Sequence, residues 1–245
     1  MVDSRDPQFS ITHDYEPAET LVVGLSGVGL AGLTAVDYLV DHLGMSETGS
    51  LSAEGLPAIT PFTAGTPRHH TRIYSHDDVP VDVLVGELFV PVWAANAFAR
   101  SILEWTEAHG TEEVVLLMGI PLAHGPDDHK TFYVATEDYQ EHRLFGTEVP
   151  AMGTGFLDGV NASLVGQGMD SDLGVCVLVT PVHARTPDAD AALRLVSTLE
   201  SIYGIDVDVA PLEEFAGEIQ QHYAQLSERL QQAAVSDVPE DRMYM

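Results

Sequence analysis

One stretch of this 245-residue chain decides its fold class: Leu21-Val22-Val23-Gly24-Leu25-Ser26-Gly27-Val28-Gly29-Leu30-Ala31-Gly32. Its first five residues form an apolar run with the length of a buried strand, and the glycines that follow indicate a tight turn. From Leu30 to Leu43 the apolar residues have helical spacing, and Gly44 marks the end of that helix. A strand, a glycine turn and a helix in this order are typical of a parallel α/β sheet.

The same alternation continues along the chain. Apolar strands are predicted at 81–85, 113–118 and 173–179, and shorter ones at 71–74 and 132–135. Helices are predicted at 93–109, 157–167 and 188–203. We therefore expect an α/β fold with a mostly parallel central sheet and helices on both faces.

The regions outside this pattern define the domain organisation. Residues 1–20 are polar and predict an irregular lead-in, and the α/β domain extends over 21–211. A single apolar stripe predicts an amphipathic helix at 212–232. The last part, 233–245, contains Pro239 and three acidic residues and is predicted to be a flexible tail.

The charge of the chain restricts its environment and its partners. Asp and Glu number 38 against 10 Lys and Arg, so the formal charge is -28, although 45% of the residues are apolar. That apolar content favours a folded core, so the negative charge must cover a folded surface. Such a surface repels itself unless molar salt shortens the Debye length to roughly 3 Å. We expect a halophilic, cytoplasmic protein that binds neither nucleic acid nor an anionic membrane.

The glycine turn also fits a dinucleotide-binding pattern. Gly27, Gly29 and Gly32 match G-x-G-x-x-G, and Glu54 follows at about the distance of a ribose-binding carboxylate. The strand expected before Glu54 is weak, however, and no hydride-transfer residues follow it. The competing interpretation is that these glycines permit a tight turn and close packing of the helix on the sheet. We favour packing and predict no cofactor.

Other reactive side chains have simpler interpretations. Ser26 lies in a strand-to-helix turn, but Val28 stands where the nucleophile-elbow pattern needs glycine, so we expect a cap or turn residue. Cys176 lies in an apolar strand and is predicted to be buried and unreactive. Two loop clusters contain potential metal ligands without the spacing of a ligand motif, so we predict no metal. The clusters are His69, His70, His76, Asp77 and Asp78, and His124, Asp127, Asp128 and His129.

The last three residues, Met243, Tyr244 and Met245, form a candidate protein-binding site. They combine a hydrophobic residue, a tyrosine and a terminal carboxylate. An amphipathic anchor beside a carboxylate suits a pocket between protein subunits, where a lysine would meet the carboxylate.

The ordered segments of the chain resemble the archaeal proteasome assembly chaperones, the PAC2-type family. The resemblance covers about 21–212 and begins with the stretch from Leu21 to Gly32. It continues in the family's order through Asp37-Tyr38-Leu39, Leu84-Val85-Gly86-Glu87, Met118-Gly119-Ile120-Pro121, Tyr133-Val134-Ala135-Thr136, the glycine-rich stretch 153–168 with Asn161, and Pro187-Asp188-Ala189-Asp190-Ala191-Ala192. The resemblance implies a fold similar to nucleoside phosphorylases without their catalytic residues, homo-oligomers, and binding to proteasome α subunits.

Two functional hypotheses follow from the residues and the resemblance. The first is a non-enzymatic protein that docks on the proteasome α ring, using Met243, Tyr244 and Met245 as the hydrophobic-Tyr-X tail that proteasome activators use. The alternative is an enzyme of the phosphorylase or dinucleotide-binding type that uses the loop Gly27 to Gly32.

The charge generates a prediction about stability. Self-repulsion at -28 weakens in concentrated salt, and apolar burial becomes more favourable there. We expect the melting temperature to rise substantially between about 0.1 M and 3 M KCl, measured by thermal unfolding. A melting temperature that does not change over this range would contradict the halophilic interpretation.

Overall fold

The computed structural model describes residues 7–122, 129–183 and 187–208. Its strands are β1 (Gln8–His13), β2 (Thr20–Leu25), β3 (Ser46–Glu54), β4 (Phe62–Thr63), β5 (Thr66–Pro67), β6 (Thr71–Ser75), β7 (Val81–Gly86), β8 (Glu113–Ile120), β9 (Phe132–Ala135) and β10 (Gly174–Pro181). Its helices are α1 (Ala31–His42), α2 (Ala95–His109), α3 (Glu137–Tyr139), α4 (Gly159–Met169) and α5 (Ala189–Tyr203). A π-helical turn, Gln140–Leu144, continues α3. No helix in the described ranges has the length and hydropathy needed to span a membrane.

Eight strands form one mixed sheet in the order β1-β3-β6-β7-β2-β8-β10-β9. The central strands β7, β2, β8 and β10 are mutually parallel, whereas β1, β3, β6 and β9 pair in antiparallel fashion. The α/β class is therefore confirmed, but only the centre of the sheet is parallel. The physical reason is that β3, β6 and β7 succeed one another without an intervening helix, which leads to antiparallel pairing.

The parallel strands give the sheet two distinct ends. The carboxyl end is the edge formed by Leu25, Gly86, Ile120 and Pro181, and the amino end is the edge formed by Thr20, Val81, Glu113 and Gly174. At about 3.3 Å per residue, the six to eight residues of these strands separate the two ends by roughly 20–26 Å.

Helices cover both faces of the sheet. Helices α1 and α5 pack together on one face, and α2 and α4 pack together on the other. Successive residues of β2 point to opposite faces, so Val22 joins the first core while Leu21 and Val23 join the second. Because neither face meets solvent, the central strands are mostly apolar, as the sequence indicated, with buried polar residues such as Asp82 and Glu113.

Helix α1 touches the backbone of the sheet at two glycines. A Cβ atom added at Gly32 would lie 2.1 Å from the carbonyl oxygen of Leu117 in β8. One added at Gly24 in β2 would lie 2.3 Å from Cγ2 of Val36 and 2.4 Å from the carbonyl oxygen of Gly32. Any larger residue at either position would push the helix away from the sheet. The packing interpretation of these glycines therefore has a direct geometric basis.

Two elements differ from the sequence-based expectation. The predicted irregular lead-in at 1–20 contains β1, which pairs with β3 at the edge of the sheet. The residues of β1 are alternately exposed and half-buried, and Phe9 packs edge-on against Phe98. Such a short, half-polar pattern is difficult to distinguish from a loop in sequence.

Strand β3 has nine residues, whereas only a weak strand before Glu54 was expected. Its serines and glycine have low β propensity, so the sequence does not indicate the full strand. Pairing with β1 on one side and β6 on the other stabilises it.

Two buried carboxylates hold several of the few basic residues. Glu87, which follows β7, accepts hydrogen bonds from Nη2 of Arg68 at 2.8 Å and from Nη2 of Arg72 at 3.2 Å. Glu113, at the start of β8, accepts from Nε of Arg143 at 2.8 Å. Three of the ten basic residues of the chain are thus paired with these two buried carboxylates.

The contact at Gly32 predicts opposite effects for two helical glycines. Gly32→Ala is expected to lower the free energy of unfolding by about 1–3 kcal/mol, because the new Cβ meets backbone. The matched control is Gly166→Ala in α4, where a Cβ meets open space and the gain in helix propensity is about 0.5–1 kcal/mol. Thermal unfolding in molar KCl measures both variants. Equal melting temperatures for the two would refute the close-contact explanation.

Candidate functional site

A small cleft opens at the carboxyl end of the sheet, between β2 and β8. The connection that leaves β2 begins with α1 on one face, whereas the connection between β8 and β10 passes through α4 on the other face. Such a divergence of connections is where open α/β sheets bind ligands. The cleft has a volume of about 280 Å³. It is lined by Val23, Leu25, Ser26, Gly27, Val28, Ala31, Gly32, Phe89, Val90, Val92, Leu116, Leu117, Met118, Gly119, Asp158, Gly159, Val160 and Asn161.

Ser26 serves as a structural link in the wall of this cleft. Its backbone N–H donates to the carbonyl oxygen of Gly86 at 2.9 Å, and its hydroxyl lies 2.9 Å from the carbonyl oxygen of Glu87 and 3.2 Å from that of Gly86. The side chain is buried. Ser26 thus ties the end of β2 to the end of β7, as expected of a turn residue and not of a nucleophile.

Gly29 is the residue of the turn whose backbone requires glycine. Its φ is 68°, and a Cβ at this position would lie 2.9 Å from Cβ of Val182. The Gly29 carbonyl oxygen accepts a hydrogen bond from the backbone N–H of Asp188 at 2.9 Å. The turn is therefore fixed to the segment that leads into α5.

The carboxylate of Asp188 organises this segment. It accepts from the backbone N–H of Ala191 at 2.9 Å, which caps α5, and from the backbone N–H of His183 at 2.7 Å. The His183 ring lies 3.0 Å away through Nδ1. Partial burial opposes ionisation, but the hydrogen bonds from His183 and Ala191 prevail and hold the pKa of Asp188 below its usual value. An ionised cap at the start of a helix explains why Asp188 stands there.

The geometry does not assemble a dinucleotide site from Gly27, Gly29, Gly32 and Glu54. Strands β6 and β7 lie between β2 and β3, so Glu54 is three strand spacings, about 14 Å, from the strand that carries the turn. Glu54 is exposed and pairs with Gln8. The cleft is also smaller than the roughly 300–1,000 Å³ of pockets for drug-sized ligands. A ribose bound at the glycine turn would therefore lack its carboxylate partner.

Two exposed hydrophobic side chains line the cleft, and two more lie next to or near its lining residues in sequence; sequence reasoning did not identify them. Val28 and Val92 line its mouth and are both exposed, Val92 to 63%. Trp93, next in sequence to Val92, is 59% exposed, and Phe156, two residues before Asp158, is fully exposed. Exposed apolar patches mark protein-interaction sites, and Val28 and Val92 make the mouth of the cleft a candidate for one. The sequence signal that could have revealed them is Trp93, a large hydrophobic residue that directly follows Pro91 and Val92.

The structure shows where the candidate metal ligands of the two loop clusters lie. His69 and His70 precede β6, whereas His76, Asp77 and Asp78 follow it, so about 17 Å of strand divides the first cluster. In the second cluster, His124, Asp127 and Asp128 lie outside the described residues, and the His129 ring lies 6.2 Å from that of His183. Within 7–122, 129–183 and 187–208, no three His, Cys, Asp or Glu side chains form a group that could hold a metal ion.

Two further candidates can be located. Cys176 is buried in β10, as predicted, and burial raises the pKa of its thiol. The predicted helix 212–232 and tail 233–245, with Met243, Tyr244 and Met245, lie outside the described residues.

The chain has counterparts among known proteins. A sequence model described as the PAC2 family matches residues 21–227. No curated protein matches the chain in sequence. The fold is similar to that of Pyrococcus furiosus PbaA, an archaeal homolog of proteasome-assembly chaperone, with 22% identity and a TM-score of 0.82 over 92% of this chain and 99% of that one. It is also similar to Pyrococcus furiosus PbaB, an archaeal proteasome activator, with 20% identity and a TM-score of 0.69 over 89% and 98%. A third similar structure, from Thermoplasma acidophilum, has unknown function, 20% identity and a TM-score of 0.79 over 91% of each chain.

The turn geometry predicts different effects for two of its glycines. Gly29→Ala is expected to lower the free energy of unfolding by about 1–3 kcal/mol, because alanine is strained at φ 68° and its Cβ meets Val182. Gly27→Ala is the matched control, since its φ is -143° and the nearest atom to its Cβ would be 3.9 Å away. Thermal unfolding compares the two, and equilibrium titration with NAD(P) tests the alternative. Micromolar NAD(P) binding that is lost in Gly27→Ala would establish a cofactor site and refute the packing explanation.

Proposed function

The chain belongs to the PAC2 family, and on this premise we propose that it acts without catalysis, by binding proteasome subunits to assist proteasome assembly or activation. The observation that carries the proposal is the correspondence of almost the whole fold with PbaA, which is described as a homolog of a proteasome-assembly chaperone. PbaB, described as a proteasome activator, has the same fold and supports the same class of role.

The chemistry of the carboxyl-end cleft favours binding over catalysis. Asp158 is the one ionisable residue among those that line it, and this carboxylate is exposed to solvent. The hydroxyl of Ser26 is engaged with backbone carbonyl oxygens. A serine nucleophile needs a general base within hydrogen-bond reach, and apart from the exposed Asp158 the cleft lining offers none. The apolar rim instead suits contact with protein.

We further propose that Met243, Tyr244 and Met245 dock on the proteasome α ring in the cytoplasm. A chain with a charge of -28 gains little from long-range attraction to a partner of similar charge in molar salt, so short-range contacts must supply the affinity. Burial of the Met243 and Tyr244 side chains contributes about 1.5–3 kcal/mol each before ordering costs. The terminal carboxylate would accept a directional hydrogen bond from a lysine in the pocket. Several tails on one oligomer would strengthen a weak single contact through effective concentration.

Removal of the tail tip tests this docking. Deletion of Met243 to Met245, Tyr244→Ala, and one extra residue appended after Met245 are each expected to lower binding to purified proteasomes of the same organism by about tenfold or more. Binding is measured by surface capture in about 3 M KCl, a salt concentration at which surface charge is screened. The melting temperature is expected to stay unchanged, because the three residues lie outside the predicted domain.

Asp241→Ala is the matched control, since it alters the same tail and leaves the hydrophobic-Tyr-X motif intact. Full binding by the deletion variant would refute docking through the tail and assign the interaction to the folded surface. Failure of the intact chain to bind α subunits, free or assembled, would refute the proteasome-related function itself.

A further inference from the structure

The two edge strands of the central sheet, β9 and β1, differ in their surroundings. At one edge, β9 is bonded to the segment that follows it: the backbone N–H of Tyr133 donates to the carbonyl oxygen of Pro150 at 3.0 Å, and that of Met152 donates to the carbonyl oxygen of Tyr133 at 2.9 Å. At the other edge, β1 pairs with β3 on one side, and within the described part of the chain no strand pairs with its other side. The outer side of β1 is therefore an open edge.

The register of β1 shows which of its residues face this open edge. All six residues of β1 pair with β3 without a register shift, and directly after them the backbone N–H of Asp14 donates to the carbonyl oxygen of Thr48 at 3.0 Å. In an antiparallel pair, positions that exchange hydrogen bonds alternate with positions that exchange none. The N–H and C=O groups of Phe9, Ile11 and His13 therefore point away from β3. In the ranges that the structure describes, none of these six groups has a hydrogen-bond partner.

Strand β1 lacks the features by which edge strands of natural proteins avoid pairing with other chains. Such strands are very short, are bulged, or carry charged residues or proline. β1 has six residues, Gln8–His13, without Lys, Arg, Asp, Glu or Pro, and it pairs with β3 without a bulge. Burial lowers the pKa of His13 below its usual value, so its ring is neutral at pH 7. In a chain with 38 acidic residues, the open edge is thus an uncharged strip.

The side chains of β1 define the kind of segment that fits beside it. Phe9 and Ile11 pack against the core that α2 covers, and the Phe9 ring lies edge-on to Phe98 with 5.3 Å between the centroids. The alternate residues of β1 are polar, uncharged and exposed: Gln8, Ser10 and Thr12. The side chains of an added strand would alternate in the same way, because neighbouring strands share the pleat of the sheet. Apolar side chains would continue the row beside α2, and uncharged polar ones would face solvent.

We propose that the open edge of β1 binds an extended segment of a free proteasome α subunit, in which apolar and uncharged polar residues alternate, as an added strand of the sheet. Backbone groups that recur every two residues, about 7 Å apart, are complemented by an extended polypeptide and not by a helix. The identity of the partner rests on the proposed function, whereas the open edge is a property of this chain alone. The contact is separate from docking through Met243 to Met245.

Residue-resolved hydrogen exchange of the backbone amides tests the contact directly. The full chain is compared alone and with an excess of purified free α subunit of the same organism, in about 3 M KCl, where surface charge is screened. In the chain alone, the amides of Phe9, Ile11 and His13 are expected to exchange fast, and those of Ser10 and Thr12, which bond to β3, slowly. With the α subunit, exchange of the first three amides is expected to slow by about tenfold or more, and that of the other two to change little.

A pair of variants at Ile11 isolates the contribution of one outward N–H group. Ile11→Pro removes this group and leaves the hydrogen bonds of Ser10 and Thr12 to β3 in place. Ile11→Ala is the matched control, since it truncates the same side chain and keeps the N–H group. Surface capture of the α subunit is expected to be about tenfold weaker for Ile11→Pro than for Ile11→Ala. Similar melting temperatures of the two variants establish that both are folded.

The outcomes separate this contact from the proposed function. Failure of the intact chain to bind the α subunit would refute the proteasome-related function and the edge contact together. Binding without the alternating protection, or equal binding by folded Ile11→Pro and Ile11→Ala, would refute the edge contact and leave the function standing. Protection of Phe9, Ile11 and His13 in the chain alone that increases with its concentration would overturn the proposal by assigning the edge to a second copy.

Discussion

Helix α1 contacts the backbone of the sheet directly, and the structure at the carboxyl end of the sheet depends on this contact. At Gly32 the helix meets the carbonyl group of Leu117, and at Gly24 the strand makes room for Val36. A helix held this close forces the chain to turn sharply after Leu25, and the left-handed Gly29 accomplishes part of that turn. The hydrogen bond from Asp188 to Gly29 then connects the turn to α5. Two helices on the same face are thus positioned by one short segment.

The same constraint explains why a glycine pattern associated with dinucleotides need not signal a cofactor. In a dinucleotide-binding fold the glycines bring backbone close to a pyrophosphate, and the ribose carboxylate stands on the neighbouring strand. Here the strand of Glu54 is displaced from β2 by two inserted strands, and the glycines bring helix close to sheet instead. The cleft that remains is small and apolar, with exposed hydrophobic residues at its rim. An apolar cleft with exposed hydrophobic residues at its mouth suits contact with protein.

Several of the few basic residues pair with buried carboxylates. Arg68 and Arg72 donate hydrogen bonds to Glu87, and Arg143 donates one to Glu113. Three of the ten basic residues therefore neutralise buried carboxylates. Breaking a buried pair by removing one partner is costly, since the remaining charge stays buried. We expect the acidic excess to lie on the surface and to be screened by salt. Apolar contacts with a partner would be strengthened by concentrated salt.

The sequence by itself determined the α/β class, the positions of the central strands and main helices, the buried Cys176, and the resemblance to the PAC2 family. These properties depend on local patterns, because a fully buried strand is a continuous apolar run and a helix is an apolar stripe with end signals. Tertiary structure alone decided the antiparallel flank, the strand within 8–13 and the length of β3, because half-polar strands acquire their identity from neighbours distant in the chain. It also decided that Glu54 stands far from the glycine turn and that Val92 and Asp158 line one cleft. The order of strands in the sheet, and which distant residues lie close together, depend on contacts between segments far apart in sequence. No local sequence pattern specifies such contacts.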